Sequence, residues 1–478
     1  MIGRRIIGLE TEYGCLIEAP LSATQVIPAI RNWFFDRNHL GLIDTHDREW
    51  DEPAGNGGFL FNGGRLYVDM GHLEYCTPEC RSLVDAIRYD RVGDLLLNQA
   101  VEELGFGGQV SFIRNNIDHY TGATFGCHEN FSLLRNAPYT EANILSLLAF
   151  QTLRVLYTGT GRVAGNQDNP FAFYGNESEA PDPAFQISQR ADYIQNDFFQ
   201  WVQHNRAIIN TRDEPLADPR LYRRLHLLHG DTHVLPAALF LKLGTTALVL
   251  DLFEADALPL VMLADAVGTL RTLSRHPDGP WTVSCLATTD SPRREPALST
   301  ENALELLECY RLAASEQFAG RDAETDTVLG LWAHVNQGLS NNPKQLFGLL
   351  DWVTKRELLE SFRTSESLAW DDPWLQAQDL EYHQTDPERS LGLACADRNG
   401  LWARGEEALE PARSQPPGTT RARSRSKLMN RIAADNLAYR VDWDHVDAPG
   451  HWTRTFSDPF NTRADTHPSE APDPDAFD

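Results

Sequence analysis

Two glutamates near the N-terminus are the first residues whose spacing could support chemistry. The segment from Gly8 to Gly14 reads as a strand, so Glu10 and Glu12 project from one face about 7 Å apart. Carboxylates that close repel each other unless water or a cation lies between them. The pair is therefore either a solvated strand face or a site for a hard cation such as Mg²⁺, which prefers oxygen ligands.

A second strand pattern, in residues 62–69, separates polar from apolar side chains. Arg65, Tyr67 and Asp69 alternate with two aliphatic residues, as in a half-buried strand. Another carboxylate, Glu74, follows five residues after Asp69. Such an alternation is either a solvated face or one wall of a polar cavity, and an aspartate beside other carboxylates is a candidate base.

The remaining candidates lie further along the chain. His128 and Asn130 form one pair, although His128 alone is most simply a core histidine with its hydrogen bonds satisfied. Residues 212–226 concentrate cationic side chains: Arg212, Arg223, Arg224 and His226. Arginine binds phosphate and carboxylate through two parallel hydrogen bonds. Together with a Mg²⁺ site, these arginines favour ATP-dependent chemistry on a carboxylate.

The sequence lacks the signature motifs of several other classes of enzyme. No Walker A motif is present, which excludes a P-loop enzyme, and no Gly-x-Ser-x-Gly elbow or Cys–His nucleophile pattern occurs. The glycines around Gly159 and Gly161 resemble a fragment of a dinucleotide-binding fingerprint, but the third glycine and the following helix are missing.

The elements that must position these residues belong to a large globular chain. A length of 478 residues suggests two to four domains, or one large domain with an appendage. Hydrophobic residues make up 42% and aromatic residues 10%, enough for a sizeable core. The net charge of −26 repels phosphate backbones and anionic lipid, so neither a nucleic acid nor a membrane is the expected partner.

The lack of a recognisable targeting signal and the pattern of cysteines predict a cytoplasmic protein. The N-terminus has no signal-peptide core, and no apolar run approaches the eighteen or so residues of a membrane helix. The seven cysteines are odd in number and scattered, which favours reduced thiols. The close pair Cys76 and Cys80 lacks a second pair, so a metal site there is not expected.

Hydrophobic periodicity predicts an α+β fold. The following segments are typical of strands: 5–13, 65–69, 109–114, 129–134 and 207–210. Three amphipathic helices follow, around residues 304–310, 328–339 and 346–362. Residues 166–183 have the composition of a long surface loop, residues 405–427 that of a boundary, and residues 461–478 that of a disordered tail.

Taken together, the ordered motifs resemble the family of Pup ligases and Pup deamidases/depupylases. They are Gly8–Gly14, Arg65–Asp69, His128–Asn130, Ser188–Arg190, Ile209–Pro215 and Tyr222–His226. The likeness spans about residues 4–460 and implies a glutamine-synthetase-like curved antiparallel sheet packed on helices. It also implies a catalytic domain over 1–404, a small C-terminal domain over 405–460, and a tail over 461–478.

The resemblance also implies roles for individual residues, with ATP and Mg²⁺ as cofactors. Matched position by position, the Mg²⁺-site residues are Glu10, Tyr67 and Glu74. The ATP contacts are Arg65, Thr77 and Trp443. Asp69 corresponds to the catalytic aspartate. The implied partners are the small protein modifier Pup, or a divergent relative, and the proteins that carry it on lysine.

Two activities share this family fold. The ligase joins the C-terminal glutamate of Pup to a lysine through a γ-glutamyl phosphate, whereas the depupylase hydrolyses that isopeptide bond or deamidates a C-terminal glutamine. The spacing of Asp69 and Glu74 is that of the depupylase type, since the ligase type has one residue more. The segments 158–163 and 241–252 also resemble the depupylases. So does the stretch between the first helix and Asn62, which contains residues 46–53 and is longer than in the ligases, though shorter than the usual depupylase insertion.

Other segments resemble the ligases, and some positions depart from both types. Residues 419–423 and 454–460 are ligase-like. His233 and Pro236 stand where the family usually has Asn and Glu, and Ser426 and Lys427 replace a usual Gly-Glu pair. The interpretation we favour is the hydrolase, with the ligase as the alternative. A non-catalytic ATP-binding regulator is a third hypothesis, disfavoured by the intact candidate site.

Overall fold

A computed structural model describes residues 5–48, 52–118, 124–163, 184–200, 206–286, 297–396 and 409–465. Its strands are β1 Ile7–Glu12, β2 Gly14–Ile17, β3 Gly41–Ile43, β4 Gly57–Leu60, β5 Arg65–Asp69, β6 His72–Cys76, β7 Val110–Ile113, β8 Cys127–Leu134, β9 Arg162–Val163, β10 Phe185–Gln186, β11 Asn196–Phe199, β12 Ala207–Asn210, β13 Tyr222–Leu227, β14 Thr282–Leu286, β15 Leu298–Asn302, β16 Arg440–Val441, β17 His445–Ala448 and β18 Trp452–Thr455. The predicted loop at 166–183 lies outside the described residues.

Thirteen helices complete the described part of the chain. They are α1 Ala23–Asn32, α2 Leu83–Glu103, α3 Glu141–Leu153, α4 Val155–Thr158, α5 Pro236–Glu254, α6 Ala266–Arg275, α7 Ala303–Phe318, α8 Ala323–Asn341, α9 Asp351–Glu366, α10 Pro373–Tyr382, α11 Leu391–Cys395, α12 Leu409–Ala412 and α13 Ala422–Asp435. A π-helical turn at Trp33–Arg37 and 3₁₀ turns at Ala191–Tyr193 and Pro343–Leu346 join some of these elements.

Nine strands form the main sheet, in the order β11-β12-β13-β8-β1-β6-β5-β4-β3. Every neighbouring pair is antiparallel except β11 and β12, which are parallel. The prediction of an antiparallel sheet therefore holds except at one edge, where β11 and β12 are parallel. The α+β class is confirmed. The predicted strand at 109–114 is also present as β7, but it pairs with β2 outside the main sheet.

The core lies on one face of this sheet. Residues of β1 and β8 alternate between buried and half-buried positions, so Leu9 and Phe131 point into the core while their neighbours face the opposite side. Helices α2, α3 and α5 pack against strands of the main sheet. Helix α5 is long and apolar enough to cross a membrane by length and composition, yet 89% of its apolar window is buried within the protein.

Three charged side chains, those of Glu129, Arg154 and Lys242, are buried on the core side of the main sheet. Glu129 accepts two hydrogen bonds from Arg154, at 2.9 and 2.6 Å, and lies 3.3 Å from the ammonium of Lys242. All three side chains are fully buried. Burial alone raises the pKa of Glu129, but the two cations outweigh it and hold the pKa at about 2. The carboxylate therefore stays ionised inside the core.

The C-terminal segment has a small core of its own that includes one residue of the main sheet. Met429, Val441 and Phe456 pack together with Phe59 of β4. Within the boundary predicted at 405–427, α12 and the first turns of α13 are helical, and Arg421 and Arg425 are buried. The domain limits at 404 and 460 remain a prediction.

The predicted helices are present, with one shifted boundary. Helices α7 and α8 match the patterns at 304–310 and 328–339. The helix predicted at 346–362 is wrong at its start, because α9 begins at Asp351 and Leu346 is the last residue of a short 3₁₀ turn. Pro343 opens that turn, and the chain changes direction before α9.

Candidate functional site

The register of three central strands builds a continuous polar face. On β1, Glu10 lies opposite Cys76 of β6 and His128 of β8, and Glu12 lies opposite Glu74. Directly paired residues of antiparallel strands project to the same side with Cβ atoms about 5 Å apart. The polar positions of β1, β6 and β8 are therefore aligned across the sheet, and their side chains form one polar face on the side opposite the core.

A tight hairpin brings the predicted catalytic aspartate to this face. Strands β5 and β6 are joined by Met70 and Gly71 alone, with φ of 46° and 95°. Positive φ at both turn positions matches the right-handed twist of the flanking strands. The turn pairs Asp69 with His72 and Tyr67 with Glu74, so the spacing noted in the sequence sets which residues face each other.

Three carboxylates converge at the end of the sheet near this hairpin. Oxygens of Glu12, Asp69 and Glu74 lie within 4.8 Å of one another. Gly126 donates its N–H to Glu12 at 2.7 Å, and the Tyr67 hydroxyl donates to Glu74. Burial and the neighbouring carboxylates raise the pKa of Glu74 well above its ordinary value. A bound cation would relieve this repulsion, so the donor set is chemically suited to a hard metal ion.

A second cluster surrounds Glu10. His128 lies 2.9 Å from Glu10 Oε2 through Nδ1, and the Asn130 amide donates to Oε1 at 2.8 Å. His226 is buried, and its Nε2 lies 3.6 Å from Glu10 and makes no hydrogen bond with any residue that the structure describes. Burial raises the pKa of Glu10, but the two histidines outweigh it and hold the pKa well below its usual range. Burial lowers the pKa of His226 to about 4, so its ring is neutral at pH 7.

A cleft of about 850 Å³, including its open mouth, lies between the polar face and the C-terminal segment. The cleft is lined by Ile6, Gly8, Leu9, Glu10, Arg65, Tyr67, Cys76, Thr77, Pro78, Glu79, Asn130, Phe131, Ser132, Pro215, Leu216, Ala217, Tyr222, Arg223, Arg224, Arg421, Trp443 and Pro459. Five strands and the C-terminal segment thus contribute side chains. Arg65, Thr77 and Trp443, the three residues matched to ATP contacts, all line it. Asp69 is not among the lining residues.

Two of those three residues, Arg65 and Thr77, are held by hydrogen bonds within the protein. Arg65 donates to Asp44 at 3.1 Å and to Glu52 at 2.6 Å, and its guanidinium lies 4.2 Å from the Tyr67 ring centre. The Thr77 hydroxyl lies 3.0 Å from the backbone N–H of Leu9, which donates to it. These contacts fix the orientation of the cleft wall before any ligand is present.

The structure brings together only part of the predicted cationic locus. Arg223 and Arg224 line the cleft, and Arg223 also pairs with Asp213 at 3.0 Å. Arg212, just after β12, pairs with Glu214 at 2.7 Å and is not among the lining residues. His226 belongs to the Glu10 cluster instead.

One buried arginine near the carboxylates was not predicted as a site residue. Arg190 is 2% exposed, donates to the carbonyl of Phe125 at 2.9 Å, and forms no ion pair with any described residue. Burial lowers its pKa, while nearby Glu12 raises it. Such a cation would attract an anionic group to this end of the face. Its motif, Ser188–Arg190, was noted, but no spacing in the sequence links it to Glu12.

Two positions that depart from the family pattern lie away from the cleft. His233 is fully buried, with Nδ1 2.7 Å from Asp351, and Pro236 occupies the first turn of α5, where no N–H donor is needed. Neither residue is among those that line the cleft. Both departures therefore lie outside the cleft lining.

Comparison with solved structures identifies the class of fold. The chain superimposes on the complex of the prokaryotic ubiquitin-like protein Pup with its ligase PafA, with a TM-score of 0.79 and 30% identity, covering 96% of this chain and 90% of that one. PafA in complex with ADP matches with a TM-score of 0.74 and 29% identity, covering 93% of each chain. These matches show that the chain has the fold of PafA.

Sequence comparison then defines the family. The chain belongs to the Pup-ligase protein family, whose profile matches residues 5–447. It is 36% identical to the Pup deamidase/depupylase of Mycolicibacterium smegmatis, covering 93% of this chain and 91% of that protein. It is also 36% identical to the Pup–protein ligase of Micrococcus luteus, covering 96% of both. Overall identity therefore does not separate the two activities.

Proposed function

We propose that this protein is an ATP- and Mg²⁺-dependent hydrolase of a Pup tagging system. It would cleave the isopeptide bond between the modifier's C-terminal glutamate and a target lysine, or deamidate a C-terminal glutamine. The observation that carries the proposal is the two-residue hairpin at Met70 and Gly71, which sets Asp69 among the carboxylates with the spacing of the depupylase type. One residue more, as in the ligase type, would change this turn.

The cleft supports nucleotide binding. It offers an aromatic ring at Trp443, a hydroxyl at Thr77 and cationic groups at Arg65, Arg223 and Arg224. The ADP bound to the structural relative PafA supports the same assignment. A chain with net charge −26 needs such local cations to attract a polyanion.

Two neighbouring clusters, Glu10 with its two histidines and the three carboxylates near the hairpin, support a divalent cation. Following the family resemblance, Glu10, Tyr67 and Glu74 would hold it, because their oxygens are hard donors. Tyr67 contacts Glu74, and Glu12 lies in the same cluster as Glu74. When bound, the cation would neutralise the clustered carboxylates and polarise phosphate oxygens. Among the described residues, His226 Nε2 makes no hydrogen bond and Glu74 has a raised pKa, and both observations fit a site that is incomplete without a ligand.

Asp69 is the residue assigned to chemistry. Its carboxylate lies at the hairpin end of the face, beyond the cleft lining, where a modifier's side-chain carbonyl would approach from the side opposite the nucleotide. There it would either remove a proton from water or attack the carbonyl itself. Arg190 would help to hold an anionic substrate group at this end.

Ligation is the second candidate, and one observation favours it. Arg421 lines the cleft and belongs to residues 419–423, which resemble the ligases. In that reading Asp69 would deprotonate the incoming lysine before it attacks a γ-glutamyl phosphate.

A single purified preparation should separate the two directions. We expect it to release free modifier from a lysine conjugate in the presence of ATP and Mg²⁺, because the hairpin has the depupylase spacing. The same preparation should not form ADP in proportion to new conjugate when given modifier, ATP and a lysine protein. Conjugate formation with stoichiometric ADP would instead support the ligase, and absence of both activities would support the non-catalytic regulator.

Arg224→Lys should weaken ATP binding about tenfold, or about 1.5 kcal/mol, the scale of one charge-assisted hydrogen bond. Lysine keeps the charge but loses the planar fork that grips phosphate. Calorimetric titration with ATP and Mg²⁺ measures the change, and Arg220→Lys, an exposed residue on the same segment, is the matched control. Equal affinity in the Arg224 variant and the wild type would remove Arg224 from the nucleotide site.

A further inference from the structure

A buried ion cluster joins the main sheet to the C-terminal segment. Glu79 follows β6, and Arg421 and Arg425 lie at the start of α13. Glu79 accepts from Arg421 at 2.7 Å and from Arg425 at 2.8 and 2.7 Å, and the three residues are 6%, 3% and 0% exposed. One carboxylate therefore pairs with two guanidinium groups in the interior.

The second arginine connects Glu79 to the aromatic wall of the cleft. Arg425 donates to the carbonyl of Trp443 at 2.9 Å and to that of Gly63 at 2.8 Å. Its guanidinium lies 5.0 Å from the Trp443 ring centre, and the ring packs edge-on against Phe59 with centroids 5.0 Å apart. Trp443 is thus held through its backbone and through its ring.

The first arginine holds the other side of the same wall. Arg421 donates to the carbonyl of Phe456 at 2.9 Å and to that of Leu216. Glu79, Arg421, Leu216 and Trp443 all line the cleft. Nε and Nη1 of Arg421 and both terminal nitrogens of Arg425 donate to Glu79 or to backbone carbonyls, so these bonds hold the wall in place.

We propose that Glu79 is a positioning residue for the nucleotide: its carboxylate holds Arg421 and Arg425, and through them the Trp443 wall, against the sheet. Docking of the C-terminal segment and nucleotide binding are then coupled, so each favours the other. The inference rests on the proposed function, because it takes the cleft as the ATP site. It goes beyond that function by making affinity for ATP depend on a carboxylate that need not touch ATP.

Affinity for ATP should depend on Glu79 because an unpaired charge in the protein interior is costly. Replacing the Glu79 carboxylate by an amide leaves two buried guanidinium groups without a counter-charge, which favours their exposure to water. Exposure requires the start of α13 to move away from the sheet, and Trp443 moves with it. The catalytic end of the face, around Asp69, is built from β5, β6 and β1 and does not depend on this contact.

The test is Glu79→Gln in the full chain. We expect the KM for ATP in modifier release to rise about tenfold or more, while kcat at saturating ATP stays within about twofold of the wild type. Glu79→Asp keeps the charge and should recover part of the affinity. The matched control is Asp192→Asn, because Asp192 also bridges two arginines, Arg162 at 2.6 Å and Arg275 at 2.9 Å, away from the cleft.

Hydrogen exchange supplies a readout that does not need activity. Without nucleotide, backbone amides of α13 and of β17 should exchange faster in Glu79→Gln than in the wild type, and ATP with Mg²⁺ should slow them in the wild type. Amides of β1 and β8 should not change. If Glu79→Gln does not fold, Arg425→Lys carries the same test, since lysine keeps the charge but cannot reach Glu79, Trp443 and Gly63 together.

The outcomes separate this inference from the proposed function. If the wild type binds ATP but Glu79→Gln binds it equally well, the positioning role is wrong and the proposed function stands. The inference is also overturned if Asp192→Asn raises the KM as much, because the effect would then be general destabilisation. If the wild type binds no ATP, both the nucleotide site and this inference fall together.

Discussion

Asp69→Asn is expected to lower turnover by about 10²-fold or more while leaving ATP affinity near that of the wild type. Asparagine keeps the shape of the side chain but removes its basicity, and a positioned general base contributes roughly 10²–10⁴-fold. ATP binding should survive because Asp69 does not line the cleft. The measurement is modifier release under saturating ATP, paired with calorimetric titration of ATP on the same sample.

The control for this prediction is an aspartate outside the polar face. Asp447 of β17 accepts a hydrogen bond from Thr453 at 2.6 Å and lies in the small C-terminal sheet. Asp447→Asn should keep the wild-type rate. A full rate in Asp69→Asn would exclude it from the chemistry. A loss of ATP affinity with unchanged kcat would mean that Asp69 acts with Glu12 and Glu74 as a cation ligand instead.

Glu10→Ala is expected to weaken Mg²⁺-dependent ATP binding by roughly 10²-fold or more. The carboxylate lies at the centre of one cluster and also lines the cleft, so it connects the cation site to the nucleotide site. Losing even an outer-shell partner of a metal typically costs 10–100-fold, and a direct ligand should cost at least as much. ATP titrations with Mg²⁺ and with EDTA measure the effect.

The expected signature is a loss of the difference between those two titrations. The wild type should bind ATP much more tightly with Mg²⁺ than with EDTA, whereas Glu10→Ala should show nearly the same weak affinity in both. Glu102→Ala, an exposed glutamate of α2, is the control and should behave as the wild type. If Glu10→Ala keeps the Mg²⁺ dependence, the cation is held by Glu12, Asp69 and Glu74 without Glu10.

Local alternation predicted correctly which candidate side chains share a strand face, because it depends on neighbouring residues alone. Glu10 and Glu12 share a face, as do Arg65, Tyr67 and Asp69, and the period of two in a strand requires this wherever the strand lies. The family resemblance added Thr77 and Trp443, which no periodicity indicates. Both line the cleft with Arg65, at the wall between sheet and C-terminal segment.

Strand β6 shows where local patterns were insufficient. Its sequence, His-Leu-Glu-Tyr-Cys, has only a weak alternation and was not among the predicted strands, although it supplies Glu74. Its strand character comes from pairing with both β1 and β5, which satisfies its backbone groups on each side. Strand pairing is a long-range contact, and a window of a few residues contains no information about it.

Sequence by itself determined the α+β class, the strands that carry the carboxylates, and the family with its candidate residues. Only the tertiary structure decided which of these residues meet. It joins Glu10 to His128 and His226 across three strands, leaves Arg212 paired with Glu214 away from the cleft, and brings Arg190 near Glu12. The physical reason is that side-chain direction follows from the local backbone period, whereas proximity follows from strand order and register, which the whole chain sets through burial of its core.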